Sequence, residues 1–226
     1  MGRFINIDGI DIEVIRKKGK RTLSLRIDNK TGLPQLSIPF LCPLFMAKSF
    51  VQAHLVWLKK SIEMAPPKQC FQDGMSISVL GENVIITHTN DRCLTHISDG
   101  KLIVSGLKEH LHRRVKDFIK KQTYDYICAK AFEIAESANK NISKITIRDT
   151  SSRWGSCSSS HGLSFCWRLG LAPTFVLDYV IIHEVAHLSY MDHSALFWGH
   201  VKALGGQTQK AKKWLSENAH YLHSFV

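Results

Sequence analysis

No stretch of the chain approaches the roughly 20 apolar residues that a membrane-spanning helix requires, so a helical membrane anchor is not expected. The segment from Met1 to Gly9 lacks the apolar core of a secretory signal. Ile5-Asn6 also fails to complete the myristoylation pattern that Met1-Gly2 opens. These absences lead to the expectation of a soluble cytoplasmic protein with no membrane partner. Cysteine is sparse and unpatterned: the six at positions 42, 70, 93, 128, 157 and 166 form no C-x-x-C pair. That excludes a cysteine zinc knuckle and a dithiol redox motif. Reduced thiols are expected, including Cys157 and Cys166, which are close enough in sequence to face each other across a hairpin. Neither an internal repeat nor a low-complexity tract is visible in the residue order.

Acidic residues are the scarcer sign, 19 against 30 lysines and arginines, for a formal charge of +11. A basic surface attracts phosphorylated ligands or nucleic acid. The cations are nonetheless spread, with local groups at Arg16 to Arg21, at Arg113, Arg114, Lys116, Lys120 and Lys121, and at Lys210, Lys212 and Lys213. Solvated helix faces and hairpin ends account for these groups better than a dedicated phosphate-binding surface. Nucleic acid as a partner is compatible with the charge, but no motif indicates it. With 226 residues, 44% of them hydrophobic, the chain can bury a substantial core as one large domain or two small ones.

The first hundred residues are patterned as short strands. Ile5 to Ile7 and Ile10 to Ile15 flank Asp8-Gly9, a strong hairpin signal, and Thr22 to Ile27 and Gln35 to Ile38 flank a turn at Asn29 to Gly32. Pro43 opens a helix carrying Phe50, Val51, Leu55, Leu58 and Ile62, which Pro66-Pro67 ends. Two more hairpins turn about Gly81-Glu82 and Asp99-Gly100. From Leu107 to Asn139 the spacing predicts a long helix, and a domain boundary is expected near Ser105-Gly106. Ile142 to Ile147 and Leu163 to Trp167 read as short strands, and two last helices begin near Ser194 and near Gln207, separated by Gly205-Gly206. The fold class is α+β, with a β-hairpin-rich N-terminal region over residues 1–106 and a metal-site domain over 107–226.

Residues His183-Glu184-Val185-Ala186-His187-Leu188-Ser189-Tyr190-Met191-Asp192-His193 carry the chemistry. Pro173-Thr174 starts a helix whose Val176, Tyr179, Val180, Ile182, Val185 and Leu188 predict broad burial. Residues four apart on a helix share one face, so His183 and His187 can aim both imidazoles at one ion, with Glu184 beside them. Catalytic zinc takes three protein ligands and a water, whose pKa falls from about 15.7 to roughly 7 on binding. The third ligand must come after a chain reversal, and His193 is placed for it. In H-E-x-x-H-x-x-G-x-x-H sites a glycine turns the chain where this sequence has Tyr190, so the turn must take another form before Ser194 caps the next helix. His200 is a reserve ligand. Asp178 or, better, Asp192 would orient a liganding histidine.

The segments Arg153-Trp154-Gly155-Ser156-Cys157-Ser158, Asp178 to Leu188, Asp192-His193-Ser194 and Phe197-Trp198 together resemble the YgjP-like metallopeptidase family, related to the SprT-like proteins and the wider zincin group. The resemblance implies a zincin-like domain in which His183, His187 and His193 hold Zn2+ and Glu184 is the general base. It also implies that the long helix after residue 107 backs the active-site helix, with a small sheet along the cleft. Leu163 to Trp167 is the candidate edge strand for holding a peptide by strand addition. Arg153 would bind an acidic substrate group or stabilise developing oxyanion charge, and Tyr190 could do the latter. Phe197, Trp198 and Trp214 read as core.

These residues support two enzyme readings. The first is a zinc peptidase in which Glu184 shuttles the proton; the second is a metal-dependent nucleoside triphosphate pyrophosphohydrolase, which the positive charge favours. The substrate is thus a peptide or a nucleotide, and the metal zinc or another divalent ion. A nucleic-acid-associated module with a purely structural zinc is disfavoured by Glu184, since a closed four-ligand site has no use for a free carboxylate.

Overall fold

A computed structural model describes residues 3–28, 31–63 and 67–226 of the chain. The first half of the Asn29 to Gly32 turn, and Pro66, therefore lie outside the described residues. The chain divides into two compact units, Met1–Lys68 with Val226, and Gln69–Phe225.

In the first unit, β1 (Arg3–Ile7) and β2 (Ile10–Lys17) form the expected hairpin, antiparallel across Asp8 and Gly9. Both turn residues have positive φ, 54° and 78°, as a two-residue turn matching strand twist demands. β3 (Ser24–Ile27) pairs antiparallel with β4 (Pro34–Pro39), and β4 also lies parallel to β2. The sheet order is β1-β2-β4-β3. Ile12, Leu36 and Ile38 from the sheet pack with Val51 and Leu58 from the helices. The one helix expected after Pro43 is in fact two, α1 (Leu44–Ala53) and α2 (Leu55–Glu63). At His54 the backbone leaves helical geometry, and the His54 Nδ1 donates 2.8 Å to the Phe50 carbonyl, the acceptor its own backbone N–H would otherwise use.

The second unit opens with the same pattern. β5 (Ser76–Val79) and β6 (Glu82–Thr89) form a hairpin through Leu80-Gly81, and β7 (His96–Ser98) and β8 (Lys101–Ser105) form one through Asp99-Gly100. β6 and β8 then pair in parallel, giving the order β5-β6-β8-β7. The two sheets thus share one topology, a repeat that residue order does not reveal. Residues on both sides of Ser105-Gly106 share one core, in which Ile77, Ile86 and Leu102 join Val115, Ile119 and Val176. The compositional change at that point marks a switch from strands to helix inside one unit, and the division of the chain comes earlier.

A 3-10 turn (Lys108–His110) leads into α3 (Leu111–Ser137), which buries Leu111, Val115, Ile119, Thr123, Ile127, Ala131 and Ala135. This four-residue spacing makes one continuous stripe, in which each fully buried aliphatic contributes about 1.5–3 kcal/mol. β9 (Lys144–Arg148), β10 (Gly155–Cys157) and β11 (Gly162–Cys166) form a sheet ordered β10-β11-β9. β11 pairs antiparallel with β10 and parallel with β9, so the strand expected at the edge is central and β10 is an edge. Cys157 stands in register with Leu163 rather than with Cys166.

A 3-10 turn (Trp167–Leu171) then packs on α3 so closely that a Cβ at Gly170 would come within 2.0 Å of Thr123 Oγ1. Buried Arg168 donates to Asp149 Oδ1 at 2.6 Å and to the Phe225 carbonyl at 2.7 and 3.1 Å, tying the end of the unit to its middle. α4 (Thr174–Ala186), α5 (Ala195–Ala203) and α6 (Thr208–Ser224) complete the fold, with α4 starting at the expected Pro173-Thr174. The class is α+β, and no helix among the described residues is long and apolar enough to cross a membrane.

Candidate metal centre

α4 is buried on nearly every side; its last turn carries His183 and Glu184, and His187 caps its C-terminal end. Beyond Ala186 the turn tightens: Leu188 N–H donates to Val185 O at 2.9 Å and Ser189 N–H to Ala186 O at 3.0 Å. Tyr190 is not among the residues with positive φ, so the reversal uses tightened helical bonds where a glycine would use left-handed geometry. Asp192 accepts from Ser194 N–H at 3.3 Å, and Ser194 Oγ caps α5 by accepting from Phe197 N–H at 3.4 Å. His193 is held between these two caps.

The result is a convergent trio. Nitrogens of His183, His187 and His193 lie within 4.8 Å of one another. His183 and His193 stack at 26° with their Nε2 atoms 3.2 Å apart, while His187 stands nearly perpendicular to both. Phe197, fully buried, lies against all three imidazoles with centroid separations of 5.0, 4.5 and 4.8 Å, and Trp198 contacts His183 and His193. The Nδ1 of His187 donates to the Tyr190 carbonyl at 2.9 Å, which fixes the tautomer and leaves the Nε2 lone pair free to bind a cation. Tyr190 therefore acts through its backbone, and its ring packs edge-on against His200. His200 itself stays outside the trio.

The donor set suits a divalent cation. Burial, together with the neighbouring His187 and His193, pushes His183 down to about 4, and burial also lowers His187, so both imidazoles are neutral at neutral pH, the form that can bind a metal. Ligands at about 2.0–2.1 Å around a tetrahedral zinc stand about 3.3 Å from each other, close to the separation of the two Nε2 atoms. His183 Nδ1 is buried with no hydrogen-bond partner.

Glu184 is 5% exposed, and burial raises its carboxyl to about 7 against the opposing charge of Arg153. It makes no ion pair among the described residues. Its Oε1 lies over Gly155, where a Cβ would stand only 2.5 Å away, so the bare glycine of β10 makes room for the carboxylate. A cavity of about 350 Å3 opens beside it, lined by Trp154, Gly155, Tyr179, His183, Glu184 and Lys212 among others. Burial and the Glu184 charge raise Tyr179 to about 12 and Cys157 to about 11, so both keep their protons next to the carboxylate.

The remaining candidates separate. Arg153 is exposed, and its charge reaches Glu184. Asp178 accepts from Tyr126 Oη of α3 at 2.7 Å and forms no bond to an imidazole, and Asp192 engages Ser194. Tyr179, Gly155 and Lys212 line the site, although the sequence marked them only as a buried helix position, part of a motif segment and a surface cation. Tyr179 stands four residues before His183, a spacing that could have flagged it. Lys212 arrives from α6, with its Nζ 4.1 Å from the Trp198 ring centroid, and no local pattern announces it.

A family model described as YgjP-like, metallopeptidase domain, matches residues 21–218. No curated protein matches the chain, and no solved structure does.

Proposed function

The chain belongs to the YgjP-like metallopeptidase family and is thereby a metal-dependent hydrolase; from that premise we propose that it is a zinc peptidase with Glu184 as its general base. The observation that carries this reading is the His183, His187 and His193 trio beside a buried, unpaired carboxylate that faces a cavity. The three imidazoles would hold the ion. Zinc supplies Lewis acidity and a water acidic enough to ionise near neutral pH. Glu184 Oε1, fixed over Gly155, takes the proton of the attacking water and returns it to the leaving group. Arg153, exposed and with its charge reaching Glu184, would steady a carboxylate of the substrate. An extended peptide would add to the outer edge of β10 (Gly155–Cys157), in place of the central strand that residue order suggested. The zincin-like arrangement is part of this proposal.

One observation favours phosphoanhydride hydrolysis as a second reading. A cavity of about 710 Å3 shares Lys212 with the Glu184 cavity and is lined also by Trp198, Lys202 and Lys210, with no carboxylate among its lining residues. Such a surface suits a polyphosphate tail. The test is to incubate the zinc-loaded protein and its Glu184→Gln variant with denatured casein and, separately, with each nucleoside triphosphate. Casein cleavage by the parent alone supports the peptidase. Pyrophosphate release without proteolysis replaces it with the second reading, and full activity in the variant removes Glu184 from the mechanism.

A further inference from the structure

A third cleft, of about 1050 Å3, opens between β6, β8 and the start of α3, and shares no lining residue with the other two. Three cations line it, Arg92, Lys108 and Arg114, against a single carboxylate, Asp91, which accepts from Thr89 Oγ1 at 3.0 Å.

Arg114 is the anomaly. Its Nε is buried with no hydrogen-bond partner, and it forms no ion pair among the described residues. An arginine on an open surface would swing its head into water and avoid that loss. Here the guanidinium is held against Gly106, whose φ is +97° and where a Cβ would come within 2.8 Å of it. The Gly106 carbonyl is itself pinned by the His88 Nε2 at 2.6 Å. A bare glycine and a tethered carbonyl thus hold a half-buried guanidinium, with its Nε turned away from water, at the wall of a cationic cleft.

Guanidinium forks match oxyanions bidentately, and Lys108 and Arg92 add the charge that distinguishes a dianion from a lone carboxylate. The volume is that of a small-molecule site, well beyond a bare anion. We propose that this cleft binds a small phosphorylated ligand through its phosphate group, with Arg114 as the principal contact.

The experiment uses the intact zinc-loaded chain and tracks the Arg114 Nε–Hε resonance while inorganic phosphate is added, against chloride at equal ionic strength. A saturable shift that chloride does not reproduce is expected. In Arg114→Met, phosphate affinity read at the Gly106 amide should fall about tenfold or more. Arg92→Ala alters an exposed side chain and should weaken binding about threefold, which keeps the test decisive if Arg114→Met fails to fold. A phosphate response confined to the metal centre, or one that leaves the Arg114 resonance no different from chloride, overturns the proposal.

Discussion

In the sheet ordered β1-β2-β4-β3 and in the one ordered β5-β6-β8-β7, two antiparallel hairpins are joined by a parallel pair at the centre. The helices that the two sheets lead into differ. After β4 the chain makes two short helices of 10 and 9 residues, broken at His54. After β8 it makes the 27-residue α3, whose buried stripe forms the support on which the 3-10 turn and α4 pack. The metal-ligand group found among the described residues lies wholly in the second unit. A shared strand topology therefore does not carry the histidine trio with it; the trio and the buried carboxylate come with the helix that packs on α3 and against Gly155 of β10.

The sharpest way to test that contrast is chemical. Glu184→Gln should retain zinc by elemental analysis while turnover falls about 10²–10⁴-fold, the usual worth of a general base. Lys59→Ala, which removes an exposed ion pair with Asp8 in the first unit, should leave turnover unchanged. Equal losses in the two variants would abolish the distinction between the units.

Gly170→Ala probes the backing helix. The added methyl meets Thr123 Oγ1 and Ile119 Cγ2, so a loss of about 1–3 kcal/mol is expected in urea unfolding, with partial recovery in the Gly170→Ala/Thr123→Ala double variant. No recovery would place the strain elsewhere. The matched turns offer a milder comparison: Gly9 and Gly81 both have positive φ, and alanine at either should cost about 1 kcal/mol by the same backbone mechanism. A large inequality would show that the two hairpins are alike in topology only.

The last contrast is one of pH. Burial would raise the Asp149 carboxyl, but the hydrogen bond and charge of Arg168, with Lys116, outweigh it and hold the group at about 2. Since the unfolded value lies near 3.9, the stabilisation is complete above about pH 4 and is lost as pH falls toward 2. The denaturation midpoints of the parent and of Asp149→Asn should therefore differ at pH 7 and converge in acid. A constant difference would remove the linkage.

The parts of the site that were legible in the residues are those with a local cause. His183 and His187 share a face because they are four apart, and Asp8-Gly9 and Asp99-Gly100 turn because those residues tolerate positive φ. His193 comes from counting ligands beyond a reversal. The parallel pairs were not legible, because β9 joining β11 depends on partners brought together from a distance. That pairing is what moved Leu163 to Trp167 from edge to centre. Nor did local pattern reveal His54 breaking its helix, the Phe197 ring beneath the imidazoles, or Lys212 reaching the cavity from α6.

Residue order alone determined the ligand types, their helical spacing and the neighbouring carboxylate, since 3.6-residue periodicity and side-chain chemistry act over a few residues. Only the tertiary structure decided that β11 is central and β10 an edge, that Gly155 makes space for Glu184, and that burial makes that carboxylate a weak acid. Those properties arise from desolvation and close packing between segments far apart in the chain, and no local pattern encodes which surfaces will meet.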